Sequence, residues 1–183
     1  MNGLRLIAAG HTRALRRAVF GGDDALDEAG ITATLALKDS ATLLPRLFPD
    51  DQPWLTAPTR AAHQTATLLG APTTREDPDL TGPDFGTWTG LPLDQIDPAG
   101  LQQFLTDPTA TPHGGESLTT ATSRLTGWLH RHTTSRRTAI ADPLVIRLIL
   151  TAALDLPPAY TNLAVAPLAV IRLTHHHRWT LHL

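Results

Sequence analysis

Cysteine is absent from this chain of 183 residues, and with it go disulfides, thiolate metal sites and thiol nucleophiles. Lysine is almost absent: Lys38 stands alone among 15 cations, the others being arginines scattered along the chain. The formal net charge is -2, so there is no basic field of the kind that draws nucleic acid. Long apolar runs are lacking as well. The opening residues hold no apolar h-region, and the most apolar late stretch, PLVIRLILTAALDLPP, carries Arg147 and is too short to cross a bilayer. These absences predict a soluble, cytoplasmic protein with no nucleic-acid and no membrane partner.

What is present reads as one domain over residues 1–183, long enough to bury a core without staples. GLRLIAAG has the apolar pattern of a buried strand. A small-residue turn and a basic helix start follow it, the place where α/β proteins commonly put a site. Residues 23–48 have acidic residues early and apolar residues at helical spacing, predicting one or two helices. PWLTAP predicts a second strand and TRAAHQTATLLG a helix, with Thr59 as N-cap and Gly70 as stop.

Residues 71–115, rich in Pro, Gly, Asp and Thr, read as a loop-dominated lid insertion. Beyond them, Leu118, Ala121, Leu125 and Leu129 form a helical stripe, TAIADP is a third buried strand, and LVIRLILTAAL is a helix. AVAPLAVIRLTHHHRWTLHL alternates as a strand pair turned near His175 to Arg178. Strands alternating with helices predict a three-layer α/β/α sandwich with a mostly parallel central sheet and a pocket at the strand ends.

Several blocks, taken in order, resemble the histidine phosphatase superfamily, the phosphoglycerate-mutase-like proteins. LIAAGHT resembles the family's first-strand motif of an apolar pair and Arg-His-Gly-x-Thr, and DDALDEAG its Asp-x-Pro-Leu-Thr-x-x-Gly segment. LTAPTRAAHQTATLL is similar to Ser-Ser-Pro-x-x-Arg-x-x-Gln-Thr-Ala, DFGTWTG to Asp-Phe-Gly-x-Trp-Glu-Gly, and GGES to the Gly-Gly-Glu-Ser turn. AIADPLVIR stands where the family has Val-Ser-His-Gly-x-x-Ile-Arg.

The resemblance implies a reaction in which a neutral imidazole attacks phosphorus. Two arginines and a second histidine hold the phosphoryl oxygens, and a carboxylic acid protonates the leaving group. Carried over, it places Ala9 at the nucleophile, Ala8 at the first arginine, Gly82 at the acid and Asp142 at the second histidine. Of this set Arg60 alone keeps the family's residue. An alanine has no lone pair with which to attack phosphorus. A cation lost and a carboxylate gained also place negative charge where a phosphoryl group would sit; like charges about 4 Å apart repel by roughly 4 kcal/mol at an effective dielectric near 20. The implied protein is a divergent member that is neither phosphatase nor mutase.

Three residues are candidates for catalysis. Arg60 either presents its guanidinium to a ligand oxygen or pairs with Asp142 across the emptied pocket. Asp142 either works as an acid or base, its pKa raised by partial burial, or caps the helix that begins at Pro143. His11, two residues beyond Ala9, either enters the pocket or lies on the surface. Thr12 and Glu116 are substrate-binding candidates at the pocket mouth, against structural roles as a helix cap and part of a turn. Asp84 and Trp88 either pack the lid or, for Trp88, line the cleft.

His175 and His177 share a strand face but lack a third ligand at useful spacing, so no metal is expected. No cofactor is required. Two functions stay open: an enzyme for a small organic, for instance natural-product, molecule by isomerisation, cyclisation or dehydration, and an inactive pseudophosphatase that binds a metabolite or a protein. A homodimer is compatible with either.

Overall fold

The computed structural model describes residues 2–40, 52–157 and 163–182. In chain order the elements are β1 (Asn2–Ala8), a one-turn α1 (Arg13–Arg16), α2 (Glu28–Ser40), β2 (Trp54–Thr56), α3 (Arg60–Leu69) and β3 (Thr74–Glu76). Three 3-10 turns follow, Pro78–Leu80, Gly86–Trp88 and Leu93–Gln95. Then come α4 (Pro98–Thr106), α5 (Leu118–Arg131), β4 (Arg136–Ala141), α6 (Pro143–Ala153), β5 (Val170–His175) and β6 (Trp179–His182). The strands form one sheet in the order β3-β2-β4-β1-β5-β6. β1 to β4 run parallel, and β5 and β6 close one edge as an antiparallel hairpin.

The central strands are buried on both faces, as parallel strands between helical layers must be. Leu4, Leu6, Ile7 and Ala8 of β1 and Ala139, Ile140 and Ala141 of β4 are inaccessible to solvent. α2 packs on α3 and α5 on α6, which gives the expected three-layer α/β/α arrangement.

Local signals explain most boundaries. The Thr59 hydroxyl accepts from Ala62 N at the start of α3, and Gly70, with φ 82°, ends it in the left-handed region. Ser117 caps α5 by accepting from Thr120 N. The hairpin turns between His175 and Trp179, whose rings stack at 4.8 Å.

Two elements were not anticipated. β3 is three exposed residues, Thr-Arg-Glu, with no apolar alternation to betray it. α4 lies inside the stretch read as loop, although Asp97 caps it and Pro98 occupies its first turn. The expected helical stretch over residues 23–48 contains α2; its part beyond Ser40 lies outside the described residues. Among the described residues no helix is long and apolar enough to cross a membrane.

Candidate functional site

The C-terminal ends of β1, β2 and β4 lie side by side, with Ala8 opposite Ala141. Open parallel sheets bind ligands at this edge. Here it opens into a cavity of about 700 Å³. The strand ends contribute Gly10, Thr12, Thr59 and Asp142; residues 18–22 with Asp24, and residues 81–85 with Thr89, form further wall; Leu93, Leu101 and Leu105 cover one side. Apolar side chains dominate, with Phe20, Phe85, Leu144 and Val145 among them. The ionisable lining side chains among the described residues are three carboxylates, Asp24, Asp84 and Asp142. No cation among the described residues lines it.

The turn after β1 is closed. Ala8 and Ala9 are buried, 0% and 1% exposed, and neither borders the cavity. Ala9 N donates to Ala141 O at 2.8 Å, and Gly10 N to the Thr65 hydroxyl at 3.0 Å. A Cβ on Gly10 would meet Leu26 and Thr34, each at 3.0 Å, so side chains already fill the space beside the turn.

Asp142 sits at the N-cap of α6, yet its side chain makes no capping hydrogen bond. Protein atoms surround its carboxyl on most sides, and the cavity leaves it partly open. Removal from water, with the negative charge of Asp23 adding to it, pushes this carboxyl from 3.8 up to about 6. Position 82 is next to it: a Cβ on Gly82 would lie 3.9 Å from Asp142 Oδ2, so the glycine leaves one flank of the carboxyl open.

Arg60 corrects an expectation. Its side chain is exposed and borders no described cavity, and it forms no ion pair with Asp142. Its backbone is what the site uses: Asp23 Oδ1 accepts from Arg60 N at 2.6 Å. A carboxylate of the chain itself therefore occupies the N-terminus of α3, where the positive end of the helix favours an anion. Sequence reasoning missed Asp23 altogether, because nothing in GGDDA shows which aspartate folds back to β2.

The other candidates separate. His11 does not reach the main cavity; it lines a smaller one with Leu15, Arg16, Pro143, Val165 and Pro167. Thr12 and Asp84 do line the main cavity. The Thr12 hydroxyl accepts from Leu15 N at 3.1 Å, and Asp84 Oδ1 accepts from Gly86 N at 2.8 Å.

Glu116 does not border the cavity. Both its oxygens accept from Arg124, at 3.2 and 2.9 Å, while Arg124 also donates to Asp79 O at 2.6 Å and Thr81 O at 3.1 Å. The pair clasps the segment that delivers Gly82. Trp88 is buried in an aromatic group with Phe20 and Phe104 and does not border the cavity either. His113, unnoticed in the sequence, completes that group: its Nδ1 accepts from Gly115 N at 3.0 Å, and burial holds its imidazole below the usual range, against the charge of Asp84. Among the described residues no three potential ligands gather as a metal site.

The motif residues away from the cavity hold the frame. Gln64 Oε1 accepts from Leu26 N at 2.7 Å. A Cβ on Gly30 would stand 2.3 Å from His11 O, so only glycine lets α2 approach the turn after β1. Gly86, at φ 48°, would meet His113 O at 2.1 Å, and Glu116 N donates to Asp84 O at 2.7 Å. The Asp-Phe-Gly and Gly-Gly-Glu-Ser blocks thus lock to each other.

An α/β sandwich with its cavity at the strand ends and these interlocked turns defines a phosphoglycerate-mutase-like fold. Residues 6–183 match the model of the histidine phosphatase superfamily (branch 1), and the chain belongs to that superfamily. A mycobacterial glucosyl-3-phosphoglycerate phosphatase, solved with VO3, is 25% identical with a TM-score of 0.83, the match covering 100% of this chain and 98% of that one. A structure described as mycobacterial hydrolase 1 is 24% identical at a TM-score of 0.82, over 100% and 97%. A histidine-to-alanine mutant of phosphoserine phosphatase from Entamoeba histolytica, in complex with phosphoserine, is 17% identical at 0.84, over 99% and 95%. Comparison with curated proteins found no match.

Proposed function

We propose that this chain turns the histidine phosphatase scaffold from phosphoryl transfer to acid–base chemistry on a small, apolar organic molecule, with Asp142 as the group that moves the proton. One observation carries the reading. The site edge is an apolar cavity that carboxylates, and no cation among the described residues, line, and the carboxyl on its floor, Asp142, is pushed up to about 6. A phosphoryl group needs positive charge or free N–H donors. Here Asp23 already takes Arg60 N, and the Arg60 side chain is exposed and does not line the cavity. Ala9 alone would be a weaker argument, since a histidine-to-alanine mutant of the Entamoeba phosphatase is seen with phosphoserine.

A carboxyl with a pKa near the working pH exchanges protons with the least mismatch. Ionised Asp142 takes a proton from a carbon acid or hydroxyl of the ligand, and the protonated form returns it at another atom. Thr12 and Thr59 suit the oxygen that gains charge. Each hydroxyl accepts a backbone N–H, at 3.1 and 3.4 Å, and keeps its own proton to donate. Isomerisation is a pair of such transfers; dehydration adds cleavage of the C–O bond, the leaving hydroxyl departing as water with the returned proton; cyclisation adds attack of a ligand nucleophile on a ligand carbon, the nucleophile's proton passing to Asp142; none needs a cofactor.

The test pairs two assays. Hydrolysis of p-nitrophenyl phosphate and of phosphoglycerates should stay at background. Exchange of the α-protons of 2-indanone in D2O, an apolar ketone, should be accelerated with a midpoint near pH 6 and return to background in Asp142→Asn. Phosphate-ester turnover that survives purification, or equal exchange by wild type and variant, would overturn the reading.

A further inference from the structure

The cavity's charge and shape say more about its ligand than that it is apolar. Three walls carry carboxylates: Asp142 on the floor, Asp24 beside residues 18–22 and Asp84 among residues 81–85. Asp23, next to Asp24, is close enough for its charge to act on Asp142. Of these, Asp23 has Arg60 N and Asp84 has Gly86 N as partners. The Asp142 side chain has no hydrogen bond or ion pair among the described residues, although it is the most enclosed of them. Gly82 leaves room for a ligand group 3.9 Å from its Oδ2. Beyond this polar end, Phe20, Phe85, Leu101, Leu105, Leu144 and Val145 present hydrocarbon. An enclosed carboxylate without a partner, facing open space, lacks a donor that carries positive charge.

Resting on the reading of the cavity as a non-phosphate site, the geometry points to a ligand that is a hydrophobic amine: a protonated amino group over Gly82 against the Asp142 carboxylate, and an aryl or alkyl body along the Phe20, Phe85 and Leu105 walls. A neutral alcohol of the same shape would bury its body equally well and offer Asp142 a hydroxyl donor without the positive charge. An anion would meet like charge from three sides. Aryl and alkyl bodies of roughly ten carbons fit about 700 Å³ with room for more, in the range of ligand pockets generally.

The experiment uses four probes with one body: 4-phenylbutylamine, 4-phenylbutanol, 4-phenylbutyrate and 4-phenylbutyl phosphate, titrated calorimetrically at about pH 8 into wild type, Asp142→Asn and Gly82→Val. The amine should bind wild type at least tenfold more tightly than the alcohol, about 1.4 kcal/mol, with the two anions weakest. Asp142→Asn should bring the amine to the alcohol's affinity and leave the alcohol unchanged. Gly82→Val, which fills the flank of the carboxyl, should weaken the amine without needing Asp142 altered. Equal binding of amine and alcohol overturns the amine inference and leaves the apolar cavity standing. Tightest binding of the phosphate overturns the reading of the cavity itself. Failure of all four to bind at millimolar concentration overturns the inference as well.

Discussion

Asparagine at position 142 should make the protein more stable at neutral pH, although it removes a charge from the centre of the site. Folding encloses the Asp142 carboxyl and raises it from 3.8 to about 6. At about 1.36 kcal/mol per pH unit this difference amounts to roughly 3 kcal/mol. The folded-state value lies above the unfolded one, so folding favours the protonated form and the ionised form costs stability. The cost is absent below about pH 4, where the carboxyl is neutral in both states, grows between about pH 4 and 6, and is complete above that.

Solvent reaching the group through the cavity, and the amide's own need for partners, reduce the gain to about 1–3 kcal/mol. Urea unfolding of wild type and Asp142→Asn at about pH 4 and pH 8 measures it. The curves should coincide in acid and separate in base with the variant more stable; for a chain of this size each kcal/mol is worth about 2–4 °C in Tm. A variant less stable by about 3–5 kcal/mol at pH 8 would refute the reasoning, because that is the loss expected when a buried cation is left without its partner.

Arg60→Ala should change unfolding free energy by no more than about 0.5 kcal/mol, since the side chain is exposed and forms no ion pair. Gly30→Ala should cost at least about 1–3 kcal/mol by thermal or urea unfolding, because its methyl would collide with His11 O. Glu116→Gln, which breaks a charge-assisted fork on a half-buried arginine, should cost about 1–3 kcal/mol and increase amide exchange over residues 79–82. Ala9→His should not produce p-nitrophenyl phosphate hydrolysis, because groups that act as a unit are strongly non-additive and Asp142 stays where a phosphoryl group would lie.

β1, β2 and β4 were legible because they are short apolar runs closed by Gly10, Pro58 and Pro143, and because ordered blocks matched a known frame. In the structure those blocks hold the frame. Gln64, Thr65, Gly30, Gly86 and Gly115 hold backbone against backbone. Asp142 was found from its place at a strand end, and its environment came from burial that no local pattern encodes. Arg60 misled for the same reason in reverse. Its position after β2 was read correctly, but a helix's first residue can point its side chain either way, and Asp23, brought in from 37 residues earlier, takes the backbone N–H at the helix start. Glu116 and Trp88 match the family in sequence and serve the frame, a distinction made only by Arg124 and Phe104, which are distant in the chain.

The central claim, that the site edge holds an enclosed carboxylic acid and not a phosphoryl clamp, is tested most directly by a carbon-13 carboxyl NMR titration of Asp142, assigned through Asp142→Asn, with and without millimolar inorganic phosphate. The account gives a midpoint near 6 that phosphate does not move. A midpoint at or below about 4, or one that rises when phosphate binds beside it, would contradict it.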